Sequence, residues 1–334
     1  MQMLRDWQSR NELVRDLVTM SRELWNHKGG MGQVLSGLAL LVQTVLVASL
    51  VISSSATEQI VSLSPQVFVL SLILHVGALA TERQRQLLVR AVGGTVSAMV
   101  LIALLLSPWS DPGTVPPTAN TFKVTTYNAL FTRDEAPRLD QADVIGLQEI
   151  TRAKLDTVAS NLGVGYTYLS ACDCTAAGTE VGLVSRFEIA DAEYYDDGGS
   201  GTFIRAVLEL APDKLVVVYL AHLPSPENHT GRDRRDALLE VIETRIAAER
   251  DDVVLMGDLS TTVYSSAFQR IRSELELQPA GYGIVPACSW HGYGSLLCLR
   301  IDHVFVSSGL GIVESSVAHV EGSDHRPVSA VVTW

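Results

Sequence analysis

Three unbroken apolar stretches dominate the first third of the chain, Val34 to Ile52, Ile60 to Ala80 and Ala91 to Ser107, and none contains Asp, Glu, Lys or Arg. Each approaches the ~20 residues that a helix needs to cross a hydrocarbon core. The first begins after a charged segment of about 30 residues, longer than the n-region of a cleaved signal peptide, and two more follow it. The pattern therefore predicts three transmembrane helices over about 34–52, 60–80 and 91–107. Ahead of them, Leu4, Trp7, Val14, Leu17, Leu24 and Trp25 recur at helical spacing among mixed charges, which predicts a cytoplasmic amphipathic segment over 1–30 lying on the inner membrane surface.

Short-loop charge sets the orientation. Arg5, Arg10, Arg15, Arg22 and Lys28 precede the first stretch, Ser53 to Gln59 has no base, and Arg83, Arg85 and Arg90 fill the second loop. Basic residues near helix ends stay on the cytoplasmic side, so everything after Ser107 is expected outside the cytoplasmic membrane. His75, in the second stretch, is expected as a neutral imidazole packed between helices.

Beyond the third stretch, Asp111, Pro112, Gly113, Pro116 and Pro117 mark a linker over 109–120. The pattern then changes to short apolar or β-branched runs of strand length: Phe122 to Asn128, Asp143 to Glu149, Val181 to Ser185, Phe203 to Leu210, Leu215 to His222, Val253 to Asp258 and Ile301 to Ser307. Arg232 to Arg250 and Ser265 to Leu275 carry helical spacing. Residues 121–334 thus read as a separate α/β domain, long enough to bury its own core.

Composition sharpens this picture. The chain has 334 residues, 47% of them apolar and only 19% charged. Residues 1–120 hold 8 basic and 7 acidic side chains, whereas 121–334 hold 17 and 30, a balance of −13. Such a domain repels polyanions, which weighs against nucleic acid as a partner. All four cysteines, Cys172, Cys174, Cys288 and Cys298, lie beyond the predicted spans, as expected where oxidation is permitted. Cys288 and Cys298 flank a turn and are candidates for a disulfide, with free buried thiols as the alternative.

The chemistry lies where the strands end. Asn128, Glu149, His222 and Asp258 each close an apolar run, and polar groups at the carboxyl ends of buried strands converge on one rim. Singly, each has a plain reading as a turn, a cap or an edge residue. Together with Ile301-Asp302-His303 and Ser323-Asp324-His325-Arg326-Pro327 they form a set.

This set, with Tyr127-Asn128, Gln148-Glu149, His222-Leu-Pro and Gly257-Asp258 in order, resembles the endonuclease/exonuclease/phosphatase superfamily of DNase I-like nucleases, inositol polyphosphate 5-phosphatases and neutral sphingomyelinases. With three spans ahead of it, the chain is similar to a membrane-anchored bacterial subgroup that includes the teicoplanin-resistance-type membrane phosphatases. The resemblance implies a DNase I-like four-layer α/β sandwich of two mixed β-sheets. It implies a Mg²⁺ site, with Mn²⁺ as a second candidate, held by Asn128, Glu149 and Asp324, since hard oxygen ligands suit such ions. It also implies that Asp258 orients or deprotonates a water, that His325, paired with Asp302, contacts phosphate, and that His222 is a second phosphate-side imidazole, with Glu180 as a candidate partner. Arg205 and Ser260 are the candidate substrate contacts. Ser260 departs from the family, which usually places Asn there.

The expected activity is hydrolysis of a phosphoester or pyrophosphate, on a lipid-linked substrate at the outer face of the membrane. The alternatives are an extracellular nuclease and, because of Ser260, a catalytically weak membrane-bound binding module.

Overall fold

The computed structural model describes residues 31–51, 63–79, 93–94, 96–97, 120–130, 139, 142–163, 167–170, 181–196, 201–281, 287–292, 297–320 and 322–334. The chain divides into two compact units, Met1–Ser107 and Pro108–Trp334. The amphipathic segment, the linker up to residue 119, Cys172, Cys174 and Glu180 lie outside the described residues.

In the first unit, α1 (Met31–Val51) and α2 (Ser64–Leu79) fall on the first two apolar stretches. Of the third stretch, only 93–94 and 96–97 are described, as helix. Among the described residues, no helix is long and apolar enough to cross a membrane. The backbone of α1 runs 21 residues without an acidic or basic side chain, about 32 Å at the helical rise. His75 is buried, and its Nδ1 donates to the Ser71 carbonyl at 2.9 Å. That bond satisfies one ring nitrogen within α2 itself.

The second unit is built on two six-stranded sheets. In chain order its elements are β1 (Thr121–Asn128), β2 (Val144–Gln148), α3 (Arg152–Asn161), β3 (Thr167–Ser170), β4 (Val181–Ser185), β5 (Glu188–Asp196), β6 (Thr202–Ala211) and β7 (Lys214–His222). There follow α4 (His229–Ala248), β8 (Asp252–Asp258), α5 (Ser266–Glu274), β9 (Gln278–Pro279), β10 (Trp290–Gly292), β11 (Leu297–Leu299), β12 (Asp302–Val306), β13 (Gly311–Val317) and β14 (Val328–Thr333). One sheet has the order β13-β14-β1-β2-β4-β3 and the other β5-β6-β7-β8-β12-β9, with β10 and β11 forming a separate hairpin. β1 runs parallel to β2 and β7 parallel to β8, while the other pairings are antiparallel, so both sheets are mixed.

Side-chain alternation along the strands divides the interior. On β7, Val216, Val218 and Leu220 join Val124, Val144, Met256, Val304 and Val328 in the core between the sheets. The intervening Val217, Tyr219 and Ala221 pack with Leu238, Ile242, Phe268 and Ile271 of α4 and α5. Leu155 and Val158 of α3 cover the outer face of the other sheet at Tyr127, Ile145 and Leu147. The layers are thus α3, sheet, sheet, and α4 with α5, as expected for the DNase I-like fold. Burial on both faces explains why these strands read as continuous apolar runs.

The helices begin where side chains satisfy their first amides. Asn128 and its neighbours play no part in this; Thr151, Asn228 and Ser265 are the N-caps, accepting from Lys154, Gly231 and Phe268. The Asn228 cap starts α4 three residues before the expected Arg232. Cys288 and Cys298 form a disulfide that closes the β10–β11 hairpin, with Cα atoms 5.3 Å apart.

Candidate active site

The inter-sheet rows that carry the core end in polar residues. Val216, Val218 and Leu220 continue to His222, Val254 and Met256 to Asp258, and Phe122 and Val124 to Asn128, while Asp302 precedes Val304 and Val306 on β12. Period-two alternation makes this a consequence of the fold: the same face that is apolar inside becomes polar at the rim. His222, Asp258 and Asp302 lie side by side across β7, β8 and β12 in direct register.

Two backbone features complete the rim. Gly257 has φ +145, and a Cβ there would come within 1.9 Å of the Ala221 carbonyl, so no larger residue can precede Asp258 in this geometry. Glu149, just past β2, has φ +50. That left-handed turn, costing roughly 1–3 kcal/mol for a non-glycine residue, is offset by the surrounding packing.

Asp258 is the hub. Its Oδ2 accepts from Asn128 Nδ2 at 3.1 Å and lies 4.0 Å from His222 Nε2 and 3.7 Å from His325 Nε2. Its Oδ1 accepts from the Ser260 backbone at 3.0 Å. Asn128 Nδ2 also donates to Glu149 Oε1 at 3.0 Å, and that oxygen is 3.6 Å from His222 Nε2. His325 Nδ1 donates to Asp302 at 2.9 and 3.1 Å. Ser323 binds the two ends together, donating to the Asn128 carbonyl at 2.9 Å and accepting from the His325 amide at 3.0 Å.

The structure thus brings Asn128, Glu149, His222, Asp258, Asp302 and His325 into one group. Three other expected residues are placed differently. Arg205 points away: its fork donates to Glu249 at 2.6 and 3.0 Å and to Asp191 at 3.1 Å, with Tyr219 on the same Glu249 oxygen at 2.7 Å. Ser260, at φ +46, donates its hydroxyl to the Leu223 carbonyl at 3.0 Å, so that group is engaged in holding the loop. Asp324 is exposed, and its Oδ2 accepts from the Trp290 indole at 2.8 Å.

Electrostatics favour a charged His325. Burial opposes its protonation, but Asp302, followed by Asp258 and Asp324, outweighs that and pushes the imidazole up to about 10. Burial pushes Asp302 upward in turn, with His325 opposing. Contact of Nδ1 with both carboxylate oxygens favours the imidazolium–carboxylate form of the pair. His303, one residue on and facing the opposite side, is different: burial and then Arg300 push it down to about 3. Its Nε2 donates to the Thr261 carbonyl at 2.7 Å, which makes it a neutral support for the loop after β8.

Some residues carry no sequence signal for this site. Arg235 is fully buried on α4 and donates to the Ser260 carbonyl at 3.3 Å, and Arg300 donates to the Asp302 carbonyl at 2.8 Å. Both hold backbone, through long side chains whose destination the sequence pattern does not fix. His222 Nδ1 is buried with no hydrogen-bond partner among the described residues.

A family model, Endonuclease/Exonuclease/phosphatase family, matches residues 125–325, the stretch that contains this rim. Fold and site together define a phosphoester hydrolase. The chain belongs to the endonuclease/exonuclease/phosphatase family, whose enzymes generally depend on a divalent metal. Comparison with curated protein sequences finds no match. Among solved structures, a family protein from Bacteroides thetaiotaomicron is similar with TM-score 0.51 and 16% identity, over 65% of this chain and 99% of its own. SmcL gives TM-score 0.51 and 17% identity over 64% and 99%. A D. rerio TDP2 humanized by 14 mutations gives 0.50 and 15% over 64% and 98%. At such identities the likeness extends to the fold.

The donor set fits a hard divalent cation. Glu149 Oε1 and Asp258 Oδ2 converge on the Asn128 amide, whose hydrogens fill a place where two carboxylates call for positive charge. Asp258, Asp302 and His325 also offer ligand atoms within 4.8 Å of one another. A cation in that place would be held by Glu149 and by Asn128 through its amide oxygen, and would offset charge on phosphoryl oxygens. Asp258 Oδ2 can take a proton from an attacking water, and the imidazolium of His325 can donate Nε2–H to a phosphoryl oxygen while Asp302 holds Nδ1.

Proposed function

We propose that the protein is a membrane-anchored, Mg²⁺-dependent phosphatase or phosphodiesterase, with Mn²⁺ as a substitute ion, hydrolysing a phosphoester or pyrophosphate of a lipid-linked substrate on the outer face of the cytoplasmic membrane. The observation that carries the chemistry is the meeting of Asn128, Glu149, His222 and His325 around Asp258. Support for the lipid comes from the first hundred residues. Besides three stretches free of charge, the outward positions of α1 and α2 include Leu41, Val45, Leu70, Ile73 and Val76, all exposed. Exposed aliphatic rows of this kind suit hydrocarbon surroundings. A linker as short as 109–120 keeps a tethered domain within tens of ångströms of the lipid headgroups and raises the effective concentration of a lipid-borne phosphate. The resemblance to the teicoplanin-resistance-type membrane phosphatases points the same way. The charge of −13 over residues 121–334 argues against a nuclease.

Purified full-length protein would be assayed for phosphate release from a polyprenyl pyrophosphate and from phospholipids, with Mg²⁺ and with chelator, beside cleavage of plasmid DNA. Mg²⁺-dependent turnover of a lipid phosphate is expected. Absence of turnover on every lipid, or faster cleavage of DNA, refutes the lipid reading.

A further inference from the structure

Ser289 lies between the disulfide and the Asp302–His325 pair. It is fully buried. Its Oγ accepts from two consecutive amides, Ile301 and Asp302, each at 3.0 Å, where the chain enters β12. Against burial, which raises the Asp302 carboxylate, Ser289 joins His325 in pulling it back. The Ser289 carbonyl accepts from the Arg326 amide at 2.7 Å, and its own amide donates to the Leu299 carbonyl at 2.9 Å. One residue therefore grips the backbone beside both members of the pair. Next to it, Trp290 makes a single bridge to His325, and the His291 amide donates to the Asp324 carbonyl at 3.0 Å.

The disulfide explains why Ser289 can hold this place. Cys288 precedes it directly and joins Cys298 of β11, so Ser289 and the strand opposite it cannot part without breaking a covalent bond. A serine in a free loop would hold two amides only by giving up its own conformational freedom. Here that freedom is restricted by the hairpin.

We infer that Ser289 is the positioning residue for the Asp302–His325 pair: it fixes the carboxylate so that His325 keeps Nδ1 on Asp302 and turns Nε2 to the reacting phosphate. The inference builds on the proposed hydrolase function but has a reading independent of it. An alanine at 289 leaves the Ile301 and Asp302 amides without their acceptor. Valine and threonine at 289 have the same shape and differ only in the hydroxyl.

The test uses full-length Ser289→Thr, Ser289→Val and Ser289→Ala. Nitrogen-edited NMR would follow the Nδ1 proton of His325, assigned by its loss in His325→Gln. In the wild type this proton is expected as a slowly exchanging downfield signal. It should survive in Ser289→Thr and disappear in Ser289→Val and Ser289→Ala. In Mg²⁺-dependent hydrolysis of bis(p-nitrophenyl) phosphate, kcat should fall about 10- to 100-fold in the Val variant and recover in the Thr variant, with KM little changed. Should Ser289→Ala fail to fold, the Thr and Val pair still decides. A Val variant that keeps both the signal and kcat overturns the inference, as does a Thr variant that loses the signal along with Val. If the wild type hydrolyses nothing yet the signal depends on the hydroxyl, the hydrolase reading fails and the positioning role stands.

Discussion

His325 and Asp302 meet through Nδ1 at 2.9 and 3.1 Å from the two carboxylate oxygens, and this contact leaves the other ring nitrogen 3.7 Å from Asp258. The pair fixes both the tautomer and the charge of the imidazole. Because the folded value of His325 is raised above the ordinary ~6.5, its proton is retained through neutral pH and is lost only as pH rises toward about 10.

Replacing Asp302 by Asn preserves the shape and removes the charge that raises His325. Burial then acts on the imidazole without its main opponent. We expect kcat to fall on the order of 100-fold or more. The alkaline limb of the pH–rate profile should move to lower pH. A profile with unchanged limbs, measured from pH 6 to 10, would separate the pair from catalysis.

Ser260 distinguishes binding from support. Its hydroxyl holds the Leu223 carbonyl, so Ser260→Ala should lower stability by about 1 kcal/mol and change kcat less than threefold. Ser260→Asn should do the reverse. A positive φ suits Asn, and its amide restores the donor usual in the family, so kcat is expected to rise about tenfold. Steady-state kinetics beside chemical denaturation reads both. A large loss of kcat in the Ala variant would return Ser260 to the substrate.

Arg205 is expected to matter for stability alone. Removing its guanidinium leaves Glu249 with Tyr219 as its remaining hydrogen-bond donor in a partly buried place, so Arg205→Ala should destabilise by about 1 kcal/mol while kcat stays within twofold. Denaturant midpoints and kinetics on one preparation test this. Loss of activity at unchanged stability would contradict it.

Acid should weaken the domain through His303. Its folded value near 3 lies below the unfolded ~6.5, so the unfolded chain takes the proton first. The stabilisation is complete above pH 6.5 and is lost as pH falls toward 3, at up to about 1.4 kcal/mol per pH unit. His303→Gln keeps a donor for the Thr261 carbonyl and does not titrate. The difference between denaturation midpoints at pH 7.5 and pH 5 should shrink in this variant. An equal difference in wild type and variant would exclude His303.

The strands that make the rim were legible because they are buried on both faces, and a polar residue stands out at the end of an apolar run. β5 and β13 were not: Glu188–Asp196 and Gly311–Val317 are largely exposed edge strands whose acidic, small and serine residues carry no apolar run. α3 was hidden by its shortness, with only Leu155 and Val158 buried. β14 is apolar and central, yet it does not stand among the runs expected as strands. Within the site, residue types at strand ends were readable, whereas Arg205 was misplaced because alternation on β6 turns it toward α4, where Glu249 receives it. Ser289 shows the same limit. A serine beside a cysteine signals nothing until the fold brings residues 289 and 302 together.

The proposed hydrolysis depends on a divalent ion held by Glu149 and Asn128 beside Asp258, which takes the proton of the attacking water. Its most direct test is phosphate release from a lipid phosphate by full-length wild type and Glu149→Gln, each titrated with Mg²⁺ from chelated to saturating. Wild-type turnover that rises from zero with Mg²⁺, and at least a 100-fold loss in Glu149→Gln at the same Mg²⁺, is the expected result. Turnover indifferent to Mg²⁺, or equal in the two proteins, would remove the ion and Glu149 from the reaction.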